Sequence, residues 1–125
     1  HQMIKTGDLS NLNELLADDV VFRSPVAFKP YEGKHVVFFI LTNVIQVFEN
    51  FTYHREFYTE DGENVVLEFS ANVSGKSLKG IDMVRFNAQG KIIDFEVMIR
   101  PMSGLAALAE KMGARFAQYQ PNASQ

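Results

Sequence analysis

The 125-residue sequence contains no cysteine. That absence excludes disulfides, thiol nucleophiles and every zinc site that needs a thiolate, and it fits a reducing compartment, so a cytoplasmic location is expected. There is no run of Lys and Arg either: 12 basic against 15 acidic side chains leave a formal charge of −3, and the pI is near 5.6. Phosphate neutralisation needs clustered positive charge, so no nucleic-acid partner is expected. The most apolar stretch, Val36 to Ile40 with its continuation to Phe48, is interrupted by Thr42, Asn43 and Gln46. It is too short to span a bilayer, and no membrane partner is expected. His1-Gln2-Met3-Ile4 offers neither a basic n-region nor a small-residue cleavage site, so no signal peptide is expected. His1, His35 and His54 lack any metal-ligand spacing such as a helical i, i+4 pair, which predicts no metal site. Gly62, Gly75, Gly80 and Gly90 read as hairpin turns or strand starts, not as a phosphate loop.

What is present is the composition of an ordinary globular chain, 46% hydrophobic and 22% charged with eleven Phe. A single domain of this size buries about two thirds of its unfolded surface, enough for a core without covalent staples. After Gly7-Asp8, Leu9, Leu12, Leu15 and Leu16 recur at helical spacing, with Ser10 or Asp8 as N-cap. Val20-Val21-Phe22 predicts a brief strand that Pro25 ends, and Pro30 and Gly33 bound the next loop. From Lys34 to about Phe48 the residues are apolar nearly all round, which predicts a helix packed on more than one side.

The second half changes period. Phe51 to Thr59, Val65 to Ser74, Leu78 to Asn87 and Lys91 to Arg100 predict four strands joined by hairpins at Asp61-Gly62, Gly75-Lys76 and Gln89-Gly90. Alternation places Val65, Leu67, Phe69, Ala71 and Val73 on one face and Val66, Glu68, Ser70 and Asn72 on the other. In the same way Ile93, Phe95, Val97 and Ile99 oppose Asp94, Glu96, Met98 and Arg100. A Leu105-Leu108-Met112 helix follows Pro101, and the polar end is expected to fray. Helices first and a curled antiparallel meander after them make an α+β layer architecture.

Several segments resemble a known superfamily. They are the Gly7-Asp8 break, the Leu15-Leu16-Ala17-Asp18-Asp19-Val20-Val21-Phe22 passage, and Gly80-Ile81-Asp82-Met83-Val84-Arg85-Phe86-Asn87 running into Gly90-Lys91-Ile92. Together they are similar to the nuclear transport factor 2-like superfamily, in its SnoaL-like and ketosteroid-isomerase-like branch. The resemblance covers nearly the whole chain, implying one domain over residues 1–125 with most of the first helix missing. It also implies a cone: a strongly curved antiparallel sheet wrapped around a long helix, an apolar pocket at the open end, and a dimer packed sheet to sheet. One such scaffold carries isomerases, dehydratases, cyclases, epoxide hydrolases and non-catalytic binders, so the likeness specifies fold more than function. Carried over by residue, Asp82 falls where the steroid isomerases keep a protonated Asp that donates to a developing oxyanion, the handling of a carboxyl for which that enzyme is a standard example. The position of their proton-abstracting carboxylate is Ser24, and a serine without a paired base cannot take a proton from carbon at neutral pH. Their tyrosine donor belongs to the first helix, where His1-Gln2-Met3-Ile4 supplies none. The Asp-Arg-Asp pattern of limonene epoxide hydrolase finds no match.

Asp82 alternates with Val84 and Phe86 on the expected concave face. There a carboxyl is either a general acid or ligand anchor with a raised pKa, or a structural partner of an arginine or backbone amide. Ser24 is a ligand- or water-positioning hydroxyl or an ordinary pre-proline turn residue. His35, in the first turn of the long helix, is a proton-transfer candidate or a solvated histidine. Phe28, Phe39, Tyr53, Phe57, Leu67, Phe69, Phe86, Phe95, Val97 and Ile99 are core residues from which the pocket wall is drawn. His54, Glu56 and Tyr58 are expected to look outward with Glu68, Asp94, Glu96, Met98 and Arg100. With Met83 and Arg85, that mixed face predicts a homodimer interface.

Three functions stay open from these residues: a binder of a small hydrophobic metabolite, a cofactor-independent isomerase, lyase (dehydratase) or cyclase acting on a small apolar, polyketide-like or steroid-like substrate through Asp82 with His35 or a water, and a dimerising interaction module with a filled pocket. None of them requires a metal or an organic cofactor.

Overall fold

The computed structural model describes residues 12–119. Helix α1 (Leu12–Leu15) leads into β1 (Leu16–Arg23), β2 (Tyr31–Glu32) and the long helix α2 (Lys34–Val47). The meander β3 (Glu49–Tyr58), β4 (Asn64–Val73), β5 (Lys76–Phe86) and β6 (Ile92–Arg100) follows, and helix α3 (Met102–Tyr119) comes last. The expected N-caps Asp8 and Ser10 and the expected frayed end lie outside the described residues. Leu16, read above as helical, is already the first residue of β1, where it pairs with Ile92.

The six strands form one sheet in the order β2-β1-β6-β5-β4-β3. The meander is antiparallel as expected, but β1 runs parallel to β6. The reason is connectivity: the chain leaves β1 through α2 and returns to the sheet at its far edge, so β1 and β6 meet without a hairpin between them. The β4–β5 hairpin closes over Ser74 (φ 50°) and Gly75 (φ 77°). Positive φ at both central residues gives the turn whose twist matches its strands, one residue earlier than the sequence suggested.

The alternation of β4 is realised in full: Val65, Leu67, Phe69, Ala71 and Val73 are buried, the last three in one cluster with Val47 of α2 and Leu108 and Met112 of α3. On β6 the phase differs at one end. A register shift between Arg85 and Phe86 brings Phe86 opposite Ile92, so Ile92, not Ile93, is the buried residue there. Such bulges bend a strand, and the sheet carries others on β1 and twice on β3.

Helix α2 starts at Gly33, whose φ of 101° only glycine adopts without strain. Val37, Ile40, Leu41 and Val47 are buried, whereas Val36, Phe39 and Ile45 are exposed. The helix is therefore packed along one broad stripe rather than nearly all round. The core falls into two clusters, one around Leu16, Val20, Phe22, Val37 and Phe95, the other around Phe69, Val73, Leu78, Leu108 and Met112. Val44, Val97 and Phe116 pack against both clusters and mark the seam between them. Among the described residues no helix is long and apolar enough to cross a membrane.

Gly80 is not a turn residue. It lies inside β5, where a Cβ would stand 2.4 Å from the Met98 carbonyl oxygen and 2.8 Å from the Phe69 ring. Its bare backbone lets Phe69 lie over the strand, and Phe69 in turn stacks on Phe51 at 5.0 Å. Gly80→Ala is expected to destabilise the fold by about 1–3 kcal/mol through this overpacking, as read by chemical denaturation.

Candidate functional site

At the seam lies a cavity of about 100 Å³. Its walls come from the sheet (Phe22, Phe95, Val97, Ile99), from α2 (Ile40, Leu41, Val44, Ile45) and from α3 (Leu108, Met112, Phe116). Phe48, Phe51 and Leu12 complete the apolar lining, and Ser24, Pro25, Val26 and Tyr31 stand together on the loop side. From the meander, the polar side chains of Tyr53 and Asp82 open into this surface.

Asp82 sits in the middle of β5, paired with Leu67 on one side and Val97 on the other. It is 6% exposed. Tyr53 stands two strands away, paired with Phe69, which is itself paired with Gly80. The Tyr53 hydroxyl donates to Asp82 Oδ2 across 3.1 Å. The tyrosine is held for this by its neighbours: Phe51 meets its ring edge-on at 4.8 Å and stacks on Phe69 beneath. Among the described residues Asp82 makes no ion pair. Burial therefore dominates: it pushes the carboxyl from its ordinary 3.8 up to about 7, and the Tyr53 hydrogen bond only partly opposes it. Burial, and then the adjacent Asp82 charge, hold the Tyr53 hydroxyl in its protonated form by raising its pKa further. Of the two readings left open for Asp82, the geometry contains a tyrosine partner and no arginine.

The other residues singled out in the sequence divide cleanly. Ser24, Tyr53, Phe95, Val97 and Ile99 line the cavity with Asp82. The Ser24 hydroxyl oxygen accepts from the Val26 amide at 3.2 Å, so this serine also shapes the turn after β1. His35 does not join the site: it is exposed at the start of α2 and lines no part of the cavity. Leu67 and Phe69 are buried in the packing beneath the wall, and Phe86 packs against the first core cluster. Phe28 is fully exposed on the loop after β1, and Phe39 points away from the lumen, stacking on the back of Phe116 at 5.8 Å. Phe57 is misplaced by a bulge: a register shift between Tyr53 and Glu56 changes the face of every later residue of β3. Phe57 thus pairs with outward-facing Val66, lies under the Arg55 guanidinium at 5.7 Å and is 53% exposed.

Sequence reasoning missed the wall supplied by the helices and the pairing of Tyr53 with Asp82. The signal for the first was there, since Leu108, Met112 and Phe116 recur every four residues along α3. The second depends on register across three strands and has no signature within one.

On the opposite face of the sheet another carboxylate is treated in the opposite way. Glu68 accepts from Arg55 at 2.7 and 2.8 Å and pairs with Lys79 at 3.0 Å. The Arg55 hydrogen bond first, and Lys79 second, hold its carboxyl down to about 2. His54 Nε2 lies 2.7 Å from Ser70 Oγ on the same outer face. Among the described residues no three His, Asp or Glu side chains come together to hold a metal.

The Asp82 arrangement fixes how stability depends on pH. The native carboxyl holds its proton up to about pH 7, while an unfolded one loses it near 3.8. Between those values the native state binds more protons, so stability falls as pH rises and then levels off. Asp82→Asn removes the buried ionisable group. It is expected to leave stability nearly unchanged at pH 4 and to raise it at pH 8, by at most on the order of 4 kcal/mol, measured by thermal melts across that range.

The chain that carries this site is similar to known proteins. A family model for the SnoaL-like domain matches residues 1–95. A steroid delta-isomerase of Pseudomonas aeruginosa is 59% identical with a TM-score of 0.89, covering 95% of this chain and 87% of its own. An uncharacterised protein with a cystatin-like fold from Silicibacter pomeroyi is 37% identical with a TM-score of 0.84, covering 91% of this chain and 79% of its own. A nuclear transport factor 2-like protein of unknown function from Cytophaga hutchinsonii shares the fold at 19% identity and a TM-score of 0.61, over 82% of this chain and 84% of its own. No functionally curated protein matches the chain. With the α+β architecture, the six-stranded sheet and these matches, the chain belongs to the SnoaL-like family, on the nuclear transport factor 2-like, cystatin-like fold.

Proposed function

We propose that this protein binds a small, largely apolar molecule whose one hydrogen-bond acceptor, a carbonyl or hydroxyl oxygen, meets Asp82. The observation that carries the reading is a carboxyl 6% exposed, without a cation among the described residues, opening with the Tyr53 hydroxyl into a largely apolar wall. A carboxyl kept neutral by its surroundings is a hydrogen-bond donor, which an ionised one is not. Tyr53 occupies Oδ2, which leaves Oδ1 to carry the proton toward the ligand. Tyr53 thus acts through Asp82 as a positioning residue, and the apolar walls supply the burial that drives binding.

A second reading, proton transfer on such a molecule, is favoured by one specific observation: a group with its pKa at about 7 is matched to giving and taking protons at neutral pH. The 59% identity to a steroid delta-isomerase supports the same direction. The reaction would be an isomerisation, elimination or cyclisation of an apolar ketone. Against it stands the wall itself, whose ionisable side chains among the described residues are Asp82, Tyr53 and Tyr31, with Ser24 where a base is required. One carboxyl has to serve as both acid and base for turnover, whereas binding needs it only as an acid.

The two readings separate in one experiment. With a β,γ-unsaturated cyclic ketone, binding is followed by calorimetry and conjugation of the double bond by ultraviolet absorbance. Binding without conjugation is expected; conjugation abolished by Asp82→Asn establishes the enzyme instead. Affinity is expected to be constant below about pH 7 and to fall about tenfold per pH unit above it, because only the neutral carboxyl is competent. Asp82→Asn, which keeps a donor, is expected to bind without that pH dependence. Tyr53→Phe, which removes the hydrogen bond favouring the ionised form, is expected to move the midpoint upward.

We also infer that the outer sheet face joins two copies of the chain. Met98 and Phe57 are about half exposed on that face beside half-buried Met83 and the satisfied Arg55–Glu68–Lys79 cluster, whereas Glu56 and Tyr58, expected there, are turned by the β3 bulge to pair with inner-face Leu67 and Val65. Such a mixture suits an interface core with a polar rim. Sedimentation is expected to give about 28 kDa, twice the 14.1 kDa of the chain; a monomer at micromolar concentration contradicts this.

A further inference from the structure

The size of the cavity narrows the ligand class, provided that the ligand-binding reading of Asp82 holds. About 100 Å³ is smaller than the void of roughly 150 Å³ that admits one benzene ring, and well below the about 300–1,000 Å³ of pockets for drug-sized molecules. A single ring therefore already displaces part of a wall and a fused-ring ligand displaces more of it, and the three walls differ in how they are held. The sheet wall is a continuous ladder in which every residue of β5 from Lys79 to Phe86 has a partner on β4, on β6 or on both. Helix α2 is seated by Val37, Ile40 and Leu41, all buried in the first cluster.

Helix α3 is seated by Leu108 and Met112 in the second cluster, and it has a further contact near each end. At its start Gly104 lies so close to β5 that a Cβ would stand 2.8 Å from Leu78 Cβ and 2.9 Å from the Ser77 carbonyl oxygen. Toward its far end Arg115 donates to Asn43 Oδ1 at 3.0 Å and to Gln46 Oε1, both on α2. Asn43 is itself buried and oriented by its bond to the Phe39 carbonyl at 2.8 Å, so it presents a fixed acceptor. Met112, between these anchors, and Phe116, next to Arg115, close the cavity, one an unbranched side chain that repacks easily, the other backed by Phe39, which is 40% exposed. Arg115 itself lines no part of the cavity.

We infer that Met112 and Phe116 set the upper size limit of the ligand, that Arg115 fixes where they stand, and that the site selects monocyclic carbonyl compounds over fused-ring ones. The limit resides in the helical wall that carries the pliable Met112 and the Arg115 tether, where no backbone ladder holds the residues in place. Truncating Phe116 enlarges the lumen directly, and cutting the Arg115 tether enlarges it without changing any lining residue.

The test is the ratio of dissociation constants for 2-decalone and cyclohexanone at pH 6, measured by methyl NMR shifts on wild type, Phe116→Leu, Met112→Ala and Arg115→Met. A ratio within one protein cancels any general loss of stability. Wild type is expected to prefer the single ring. In Phe116→Leu the ratio is expected to fall by about tenfold or more, the discrimination that small changes of fit in an apolar pocket produce, and in Arg115→Met to fall in the same direction. If Phe116→Leu does not fold, Met112→Ala is read in its place with the same expectation. A ratio unchanged within twofold in the folded wall variants, or a wild type that prefers the fused rings, overturns the size limit; an unchanged ratio in Arg115→Met overturns the role of the tether. If neither ketone binds wild type, the reading of Asp82 as a ligand anchor fails, and this inference fails with it.

Discussion

The site depends on one energetic conflict, a carboxyl placed where water does not solvate its charge. Asp82 is kept out of water by the packing of both core clusters around it, and its only side-chain partner among the described residues is the neutral Tyr53 hydroxyl. Without a cation to repay desolvation, the neutral form is favoured up to about pH 7. The rest of the site follows from that preference. A neutral acid in an apolar wall is a donor waiting for an acceptor, and the apolar wall is what keeps it neutral.

The sheet makes the contrast within one pair of strands. Leu67 pairs with Asp82 and the next residue, Glu68, pairs with Ile81, so the two carboxylates stand one step apart on opposite faces. Glu68 meets Arg55 and Lys79 and is held down to about 2; Asp82 meets Tyr53 and is pushed up to about 7. Residue type is the same to within a methylene, and environment assigns the roles. The outward carboxylate becomes a permanent charge in a surface cluster, the inward one a titrating group facing a cavity.

Much of this was legible in the chain because β4 and β5 alternate without interruption. Strict period 2 in Val65 to Val73 fixed the inner face, and the same period placed Asp82 with Val84 on it. Legibility ended where period 2 is broken. The bulge between Tyr53 and Glu56 sends Phe57 to the outer face, and the one between Arg85 and Phe86 exchanges Ile93 for Ile92. No local residue pattern announces either. The parallel pairing of β1 with β6 and the Tyr53–Asp82 hydrogen bond are likewise properties of assembled strands. His35 was singled out for its side chain and for its place in the implied fold, and the helix that carries it turns it to solvent. The helical wall was readable in α3's spacing, but a stripe that lines a cavity looks the same in sequence as one that fills a core.

The account rests on the protonation state of a single side chain, and carboxyl-carbon NMR of Asp82 through a pH titration of the ligand-free protein tests it most directly. A midpoint close to 7, with the Glu68 signal in the same spectra titrating near 2, is the predicted result. An Asp82 midpoint at or below the ordinary 3.8 would mean that the carboxyl is ionised and paired in the folded protein, and would contradict the account.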